Sequence, residues 1–566
     1  MAVKTPWEDS MGEVPMHLDY FDGTMFEMLE QTAQTCPDMP ALVFLGKTTT
    51  YRRLVEKTEC CARALRQLGI GEGDRVTIAL PNCPQAVCMF YAVNLVGGLA
   101  NMVHPLSAEQ EIETCIRESD SVAAIALDQC YCKFSRIPQH ENPIHLILTG
   151  IRDEMPPLIR AVCRLKDGRT PETVPKQAPI LLWRDFLRMG RSCIRLYPVG
   201  RKSEDPAVIL YSGGTTGTTK GVVLTNGNFN ALSRQIVAAN PMYRPGDTML
   251  AAMPMFHGFG LGVCIHTMLT QGGCCILVPR FTPKEFLRCM VKYRCNFVAG
   301  VPTLYESLLR LQGTERVDLS CLKGVFSGGD SLPAELKKKI DRFLLEHNAS
   351  VSVREGYGTT ETVTACCLTP MHSEKEGSIG VPFPDTYVKI VCPDTEEEVP
   401  YGETGEILLA GPTVMKEYLN NPEETAQTLH NHDDGQVWVR TGDLGMMDEQ
   451  GFLYFKGRAK RMIVTSGYNV YPSQIEQVLD AHELVQMSCV IGVPDPHKMQ
   501  RVKAFVELAP GAQTENAGQI LLEYCRKRIA HYAVPCEIEV RRELPKTSIG
   551  KVAYRILETQ AGNSTE

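Results

Sequence analysis

Between residues 20 and 130 the chain alternates between two spacings of apolar side chains. Helical spacing over residues Phe26–Cys36 predicts a helix, and the run Ala41-Leu42-Val43-Phe44-Leu45 predicts a buried strand. The same alternation predicts a helix over Tyr51–Leu68 that stops at Gly69 and Gly71, a strand over Arg75–Leu80, and a helix over Pro84–Val96. Strands that are apolar throughout, each followed by a helix, are the mark of a layered α/β domain. The alternation resumes over residues 205–345. From 385 to 457 turn residues come often and the apolar runs are short and β-like, as in Tyr387–Val391, Glu406–Leu409, Val437–Val439 and Phe452–Phe455. That stretch predicts a β-rich subdomain. Gly457-Arg458-Ala459-Lys460-Arg461 reads as a linker, and the residues beyond it as a small α+β unit.

Two stretches lack formal charge, Pro81–Leu106 and Met249–Val278. Each is long enough to be considered as a membrane span. Each also carries a histidine and helix breakers (Gly97, Gly98 and Pro105; Pro254, Gly258 and Gly260), so core elements of a large α/β domain are the expectation. Arg152–Arg201 breaks the pattern differently. It is rich in Arg, Pro and Lys, with apolar residues at helical spacing in Leu158–Val162 and Phe186–Met189.

At 566 residues the chain is too long for one ordinary core, so at least two domains are expected. A 44% apolar and 22% charged composition suits a soluble globular protein. The net charge of −8, with no Lys/Arg-rich run, argues against a nucleic-acid partner. There are 22 cysteines, including the adjacent pairs Cys60-Cys61, Cys274-Cys275 and Cys366-Cys367, but no C-x-x-C spacing. Adjacent pairs suit neither a disulfide framework nor zinc. Reduced, buried thiols in a cytoplasmic protein, with an N-terminus that does not read as a signal peptide, are the simplest expectation.

The most informative run is Tyr211-Ser-Gly-Gly-Thr-Thr-Gly-Thr-Thr-Lys-Gly221, set between the apolar strands Ala207–Tyr211 and Val222–Leu224. Glycines let a backbone approach a ligand closely, N–H groups and hydroxyls donate to oxygen, and Lys220 adds a point charge. Such a loop suits a polyphosphate, although Thr219 before the lysine separates it from a Walker A loop. An ordinary Gly/Ser/Thr turn is the plain alternative. Further on, Glu355-Gly-Tyr-Gly-Thr-Thr-Glu361 offers a flat ring at Tyr357 for a base, a hydroxyl at Thr360 for phosphate, and a carboxylate at Glu361 for Mg²⁺. Arg440-Thr-Gly-Asp443 places a carboxylate that can accept from both hydroxyls of a ribose.

These runs, in this order, resemble the adenylate-forming superfamily of acyl-CoA synthetases, peptide-synthetase adenylation domains and firefly-type luciferases. Met253-Pro-Met-Phe-His-Gly-Phe-Gly260, Phe326-Ser-Gly-Gly-Asp330, Phe455-Lys-Gly-Arg-Ala-Lys460, Ser466-Gly-Tyr-Asn-Val-Tyr-Pro472 and Leu544-Pro-Lys-Thr-Ser-Ile-Gly-Lys-Val552 extend the resemblance along most of the chain. It implies a large AMP-binding domain over 1–457, a hinge at 458–460 and a small mobile domain over 461–566. It implies ATP and CoA as ligands, with Mg²⁺ on Glu361 and Ser212. Nucleotide contacts would come from Ser212, Gly213, Gly214, Thr215, Thr216, Gly217, Lys220, Tyr357, Gly358, Thr360, Asp443 and Arg458. Gly328 and Gly329 would lie beside adenine and the acyl chain. His257 would border the acyl pocket, Lys460 would be the pivot, and Gly467 and Tyr468 would belong to the segment that admits pantetheine. Lys551 would reach the acyl carboxylate and α-phosphate, and Glu361, Thr215 and His257 would join it in catalysis. Asp330 departs from the alanine common after the paired glycines.

The expected reaction is ATP-dependent ligation of a carboxylic acid to CoA. Arg152–Arg201 resembles the insertion that long-chain fatty acyl-CoA synthetases carry before the phosphate loop, and Val301, Gly328, Val363 and Ala365 would give an apolar lining, so a fatty acid is the first substrate class. An aryl or bile-type acid, and transfer to a separate acyl carrier protein, remain open alternatives. A nucleotide-binding protein without catalysis is disfavoured by the presence of Lys551, Glu361 and Asp443. Membrane contact is expected to be peripheral at most.

Overall fold

The computed structural model describes residues 5–135, 145–156, 180–192, 199–213, 219–465, 468–495, 499–512, 515–547 and 552–562. Four sheets organise these residues. The first has eight strands, in the order Glu417–Tyr418, Thr219–Thr225, Pro206–Gly213, Leu99–Met102, Arg75–Ala79, Ser121–Leu127, His145–Thr149 and Ile180–Leu182. Neighbours from Pro206–Gly213 to Ile180–Leu182 are parallel, whereas Pro206–Gly213 and Thr219–Thr225 form an antiparallel hairpin. The second has nine strands, and its parallel centre contains Gly324–Ser327 and Val353–Tyr357 side by side.

Helices cover these sheets because their sequences bury one or more faces. Pro84–Leu95 carries no charged residue and is buried on all sides, so it sits inside the domain. Met25–Thr35 starts at a capping box in which Thr24 and Glu27 satisfy each other's backbone N–H groups. Both charge-poor stretches are mostly buried in the core, and among the described residues no helix is long and apolar enough to cross a membrane. One continuous core joins the two large sheets.

The third sheet is antiparallel, built from Tyr387–Val391, Gly405–Ala410, Val437–Met447, Leu429–Asn431 and Leu453–Arg458. It is the β-rich unit expected over residues 385–457. The fourth contains Ile463–Thr465, Tyr468–Val470, Val485–Asp495, Met499–Leu508 and Glu537–Arg541, with helices against it and a core of its own. The expected class is what is observed: a mixed α/β chain with a large N-terminal and a small C-terminal part.

Arg152–Arg201 lies largely outside the described residues. Its flanks meet at Glu154, which is buried and accepts from Lys57, from Lys47 at 3.1 Å and from the Trp183 indole at 3.4 Å. Burial opposes ionisation of this carboxyl, and the two lysines overcome it and hold it below the usual range. Trp183 also stacks on Phe186, with ring centroids 5.7 Å apart. Glu154→Ala is expected to lower the free energy of unfolding by about 2–3 kcal/mol, since two partly buried ammonium groups lose their counterion. Because the folded-state pKa is depressed, this stabilisation is present above the unfolded carboxylate range and is lost as pH falls through the folded value. Urea denaturation of both proteins at neutral and acidic pH measures the difference, which should shrink on the acid side.

Candidate active site

The hairpin register pairs Ser212 with Lys220 and Gly213 with Thr219 at the end of the described ladder. Gly214, Thr215, Thr216 and Gly217 lie outside the described residues, as do Gly467 and Lys551. At Lys460 and Tyr468 the backbone alone is described, in a 3-10 turn and a short strand. The backbone closes on either side of 548–551, where Lys546 pairs with Val552 and the Ala553 N–H donates to the Pro545 carbonyl at 2.7 Å.

The turn Thr360–Thr362 touches the strand Pro206–Gly213. Glu361 is half-buried and accepts from the Tyr418 hydroxyl at 2.8 Å. The Lys220 ammonium lies over the Tyr418 ring, 5.1 Å from its centroid, and pairs with Glu424. The hairpin lysine and the Glu361 carboxylate therefore meet on one aromatic ring. Neither Tyr418 nor Glu424 stands out in the sequence. Tyr418-Leu-Asn-Asn-Pro-Glu-Glu-Thr425 looks like an ordinary turn into a helix, and only the pairing of Glu417–Tyr418 with Val222–Val223 brings it to the site.

A second cluster lies on the antiparallel sheet. Asp443 is buried and accepts from the Tyr357 hydroxyl at 2.8 Å, and the Arg458 Nε stands 3.2 Å from its other oxygen. Strand pairing fixes this contact, because Asp443 and Arg458 are directly opposite in register. The adjacent Asp443 carboxylate raises the Arg458 pKa, and Glu361 adds to the effect, so the two clusters share one electrostatic field. Burial first and Asp443 second push the Tyr357 phenol far above its usual range, which keeps it a hydrogen-bond donor.

Close backbone packing joins these clusters to the apolar side. Val363 and Thr364 both have positive φ, 63° and 133°, uncommon for β-branched residues. Glycines lie against them: a Cβ on Gly258 would come within 1.9 Å of the Val363 carbonyl oxygen, and one on Gly358 within 2.2 Å of that of Thr364. His257, half-buried at the start of this segment, accepts from the Phe259 N–H at 3.3 Å through Nδ1. A Cβ on Gly328 would stand 3.3 Å from the Gly356 carbonyl oxygen and 3.6 Å from the Phe259 ring, and one on Gly329 would stand 3.5 Å from Val301. Phe259, Val301, Gly328 and Gly329 thus converge beside Tyr357. Asp330, the departure from the common pattern, is exposed, and its carboxylate accepts from the Ser331 N–H at 3.0 Å.

Of the residues named from the sequence, the structure brings together Ser212, Gly213, Lys220, Tyr357, Gly358, Thr360, Glu361, Asp443 and Arg458, with Gly328, Gly329 and His257 on the apolar side. The donor set fits a magnesium nucleotide. The Glu361 carboxylate is a hard oxygen donor of the kind Mg²⁺ takes, and the Lys220 ammonium shares the Tyr418 ring with it. Among the described residues no group of three or more His, Cys, Asp or Glu is placed to cage a metal. Mg²⁺ is usually held by one or two carboxylates together with phosphate oxygens and water.

Comparison with known proteins identifies the family. Residues 29–419 match the family described as AMP-binding enzyme, and residues 474–551 match the AMP-binding enzyme C-terminal domain. The chain is 34% identical to a long-chain-fatty-acid–CoA ligase of Bacillus subtilis over 568 aligned positions, covering 100% of this chain and 99% of that one. It is 32% identical to the long-chain-fatty-acid–CoA ligase of Salmonella typhimurium, covering 95% and 94%. Among solved structures, ATP-bound MatB from Rhodopseudomonas palustris superposes with a TM-score of 0.83 at 25% identity, covering 96% of this chain and 100% of that one. The chain belongs to the AMP-binding enzyme family.

Glu355 lies one strand residue from this site. It is buried and accepts from the Leu332 N–H at 3.1 Å, and burial pushes its pKa up to about 8. A buried carboxyl that stays protonated favours the folded state below its unfolded pKa, and that contribution is lost as pH rises through about 8. Glu355→Gln keeps an acceptor for Leu332 without the ionisation. Thermal unfolding between pH 6 and 9 is expected to show the parent losing stability across this window and the variant losing distinctly less.

Proposed function

We propose that the chain is an ATP-dependent ligase that joins a long-chain fatty acid to CoA through an acyl-adenylate, in the cytoplasm and with at most peripheral membrane contact. The observation that carries this reading is the meeting of Lys220 and Glu361, next to the Tyr357–Asp443–Arg458 cluster. The names of the full-length relatives support the choice of acid, as do the small and apolar residues at Gly328, Gly329, Val301 and Phe259.

In the first half-reaction the fatty carboxylate oxygen attacks the α-phosphorus of ATP, and the bond to pyrophosphate breaks. Ser212, Gly213, Gly214, Thr215, Thr216, Gly217 and Lys220 hold the triphosphate, and Lys220 offsets the charge that grows on the leaving group. Glu361, with Ser212 nearby, would hold Mg²⁺, which when bound would neutralise phosphate charge. Asp443 and Arg458 take the ribose, Tyr357 and Gly358 border adenine, and Thr360 donates to phosphate. Lys551 stabilises the acyl and α-phosphate oxygens as their charge grows. In the second half-reaction the CoA thiolate attacks the acyl carbon, and the bond to AMP breaks. The domain over 461–566 turns about Lys460 relative to 1–457, withdraws Lys551 and brings in Gly467 and Tyr468 beside the pantetheine arm. His257 borders the acyl chain.

Pyrophosphate release with Mg·ATP and acids of graded chain length and ring content, with and without CoA, tests the reading. Turnover that needs CoA and peaks with long-chain fatty acids is expected. A peak with aryl acids would replace the substrate, and acyl-adenylate without CoA thioester would point to carrier-protein loading. Lys551→Ala is expected to slow adenylation by about 100-fold or more, in the range for losing one group aimed at developing charge. Its thioester formation from supplied acyl-AMP should stay near the parent rate, which single-turnover assays of the two half-reactions separate.

A further inference from the structure

We propose that Tyr418 is a positioning residue that holds the metal-binding carboxylate and the phosphate-binding lysine of this site in fixed relation; this rests on the roles read above for Glu361 and Lys220. Three features of the structure lead to it.

First, both groups use the same ring. The Tyr418 hydroxyl donates to Glu361 Oε1 at 2.8 Å, and the Lys220 ammonium lies 5.1 Å from the ring centroid. A hydrogen bond restricts the carboxylate to one orientation, and the ring face attracts the cation.

Second, the backbone dictates the meeting. Tyr418 is directly opposite Val222 on the neighbouring antiparallel strand, and Lys220 lies two residues before Val222 on the same face. Lys220 is therefore the diagonal cross-strand neighbour of Tyr418, within reach of a long side chain. The strand is held on both flanks, by the Lys416 N–H to the Val223 carbonyl at 3.0 Å and the Leu419 N–H to the Gly221 carbonyl at 2.8 Å. The Tyr418 N–H donates to the Thr425 hydroxyl at 3.0 Å, and the Met415 N–H donates to the Glu361 carbonyl at 2.8 Å. One short segment thus grips the turn that carries Glu361 through both backbone and side chain.

Third, the phenol is buried and faces a carboxylate. Tyr418 is 5% exposed, so its hydroxyl is held against Glu361 and shielded from solvent. Glu424 completes the arrangement by pairing with Lys220.

The experiment measures Mn²⁺ binding to the full chain by electron paramagnetic resonance, with ATP present and fatty acid absent, and separately ATP binding in EDTA. Tyr418→Phe keeps the ring and removes the hydroxyl. Its Mn²⁺ dissociation constant is expected to rise about tenfold, as for loss of a hydrogen bond to a charged group. Its metal-free ATP affinity should change less than twofold. Tyr418→Leu removes the ring as well, and its metal-free ATP affinity should also fall. A purely structural loss would reduce the number of binding sites and leave the Mn²⁺ midpoint in place, and that result in Tyr418→Phe overturns the proposal. Glu361→Gln identifies which inference has failed. If it weakens Mn²⁺ binding while Tyr418→Phe does not, the role of Tyr418 is wrong and that of Glu361 stands. If neither variant weakens Mn²⁺ binding, both roles fall.

Discussion

An antiparallel hairpin joined to a parallel sheet governs where Lys220 stands relative to Tyr418 and the turn that carries Glu361. Pro206–Gly213 continues the parallel order, and Thr219–Thr225 turns back beside it. Val208, Ile209, Leu210, Val222, Val223 and Leu224 are all buried, so both faces of the hairpin are fixed by core packing. A slip of one residue would move each of these side chains to the opposite face. It would also move Lys220 off the face it shares with Tyr418. The strand Pro206–Gly213 thereby lies against the turn Thr360–Thr362 that carries Glu361.

The second requirement is close approach between backbones. Val363 and Thr364 follow Glu361 in a conformation that side chains of their type rarely take, and it persists because Gly258 and Gly358 leave no room for relaxation. These close approaches bring the segment after Glu361 against the glycine-rich stretch that begins at His257.

The third sheet adds the Asp443–Arg458 pair through strand register, and Tyr357 reaches it from the nine-stranded sheet. The same strand, Leu453–Arg458, runs directly into the linker to the small domain. The Arg461 guanidinium lies 4.6 Å from the Tyr554 ring centroid, and Arg461 bonds Glu476 at 2.7 Å. Arg461 thus ties the chain to Glu476 and Tyr554 three residues after Arg458, the partner of the buried Asp443 carboxylate.

Local sequence determined the layered α/β class, the β-rich unit over 385–457, the loop between two apolar strands, and the residue types at Lys220, Tyr357, Glu361 and Asp443. These are properties of spacing and composition, and helix and strand periods are set by the backbone within a few residues. The strand bounds shifted only at their ends: the strand expected over Ala207–Tyr211 runs Pro206–Gly213, because its partner continues the ladder. What the tertiary structure decided is which groups meet. Tyr418 lies far along the chain from Lys220 and carries no local signal, yet an edge strand of two residues brings it between Lys220 and Glu361. The strain at Val363 and Thr364, the elevated pKa of Glu355 and the grip of Lys47, Lys57 and Trp183 on Glu154 have the same origin. Burial and long-range pairing are sums over the whole fold, and no local period of the sequence encodes them.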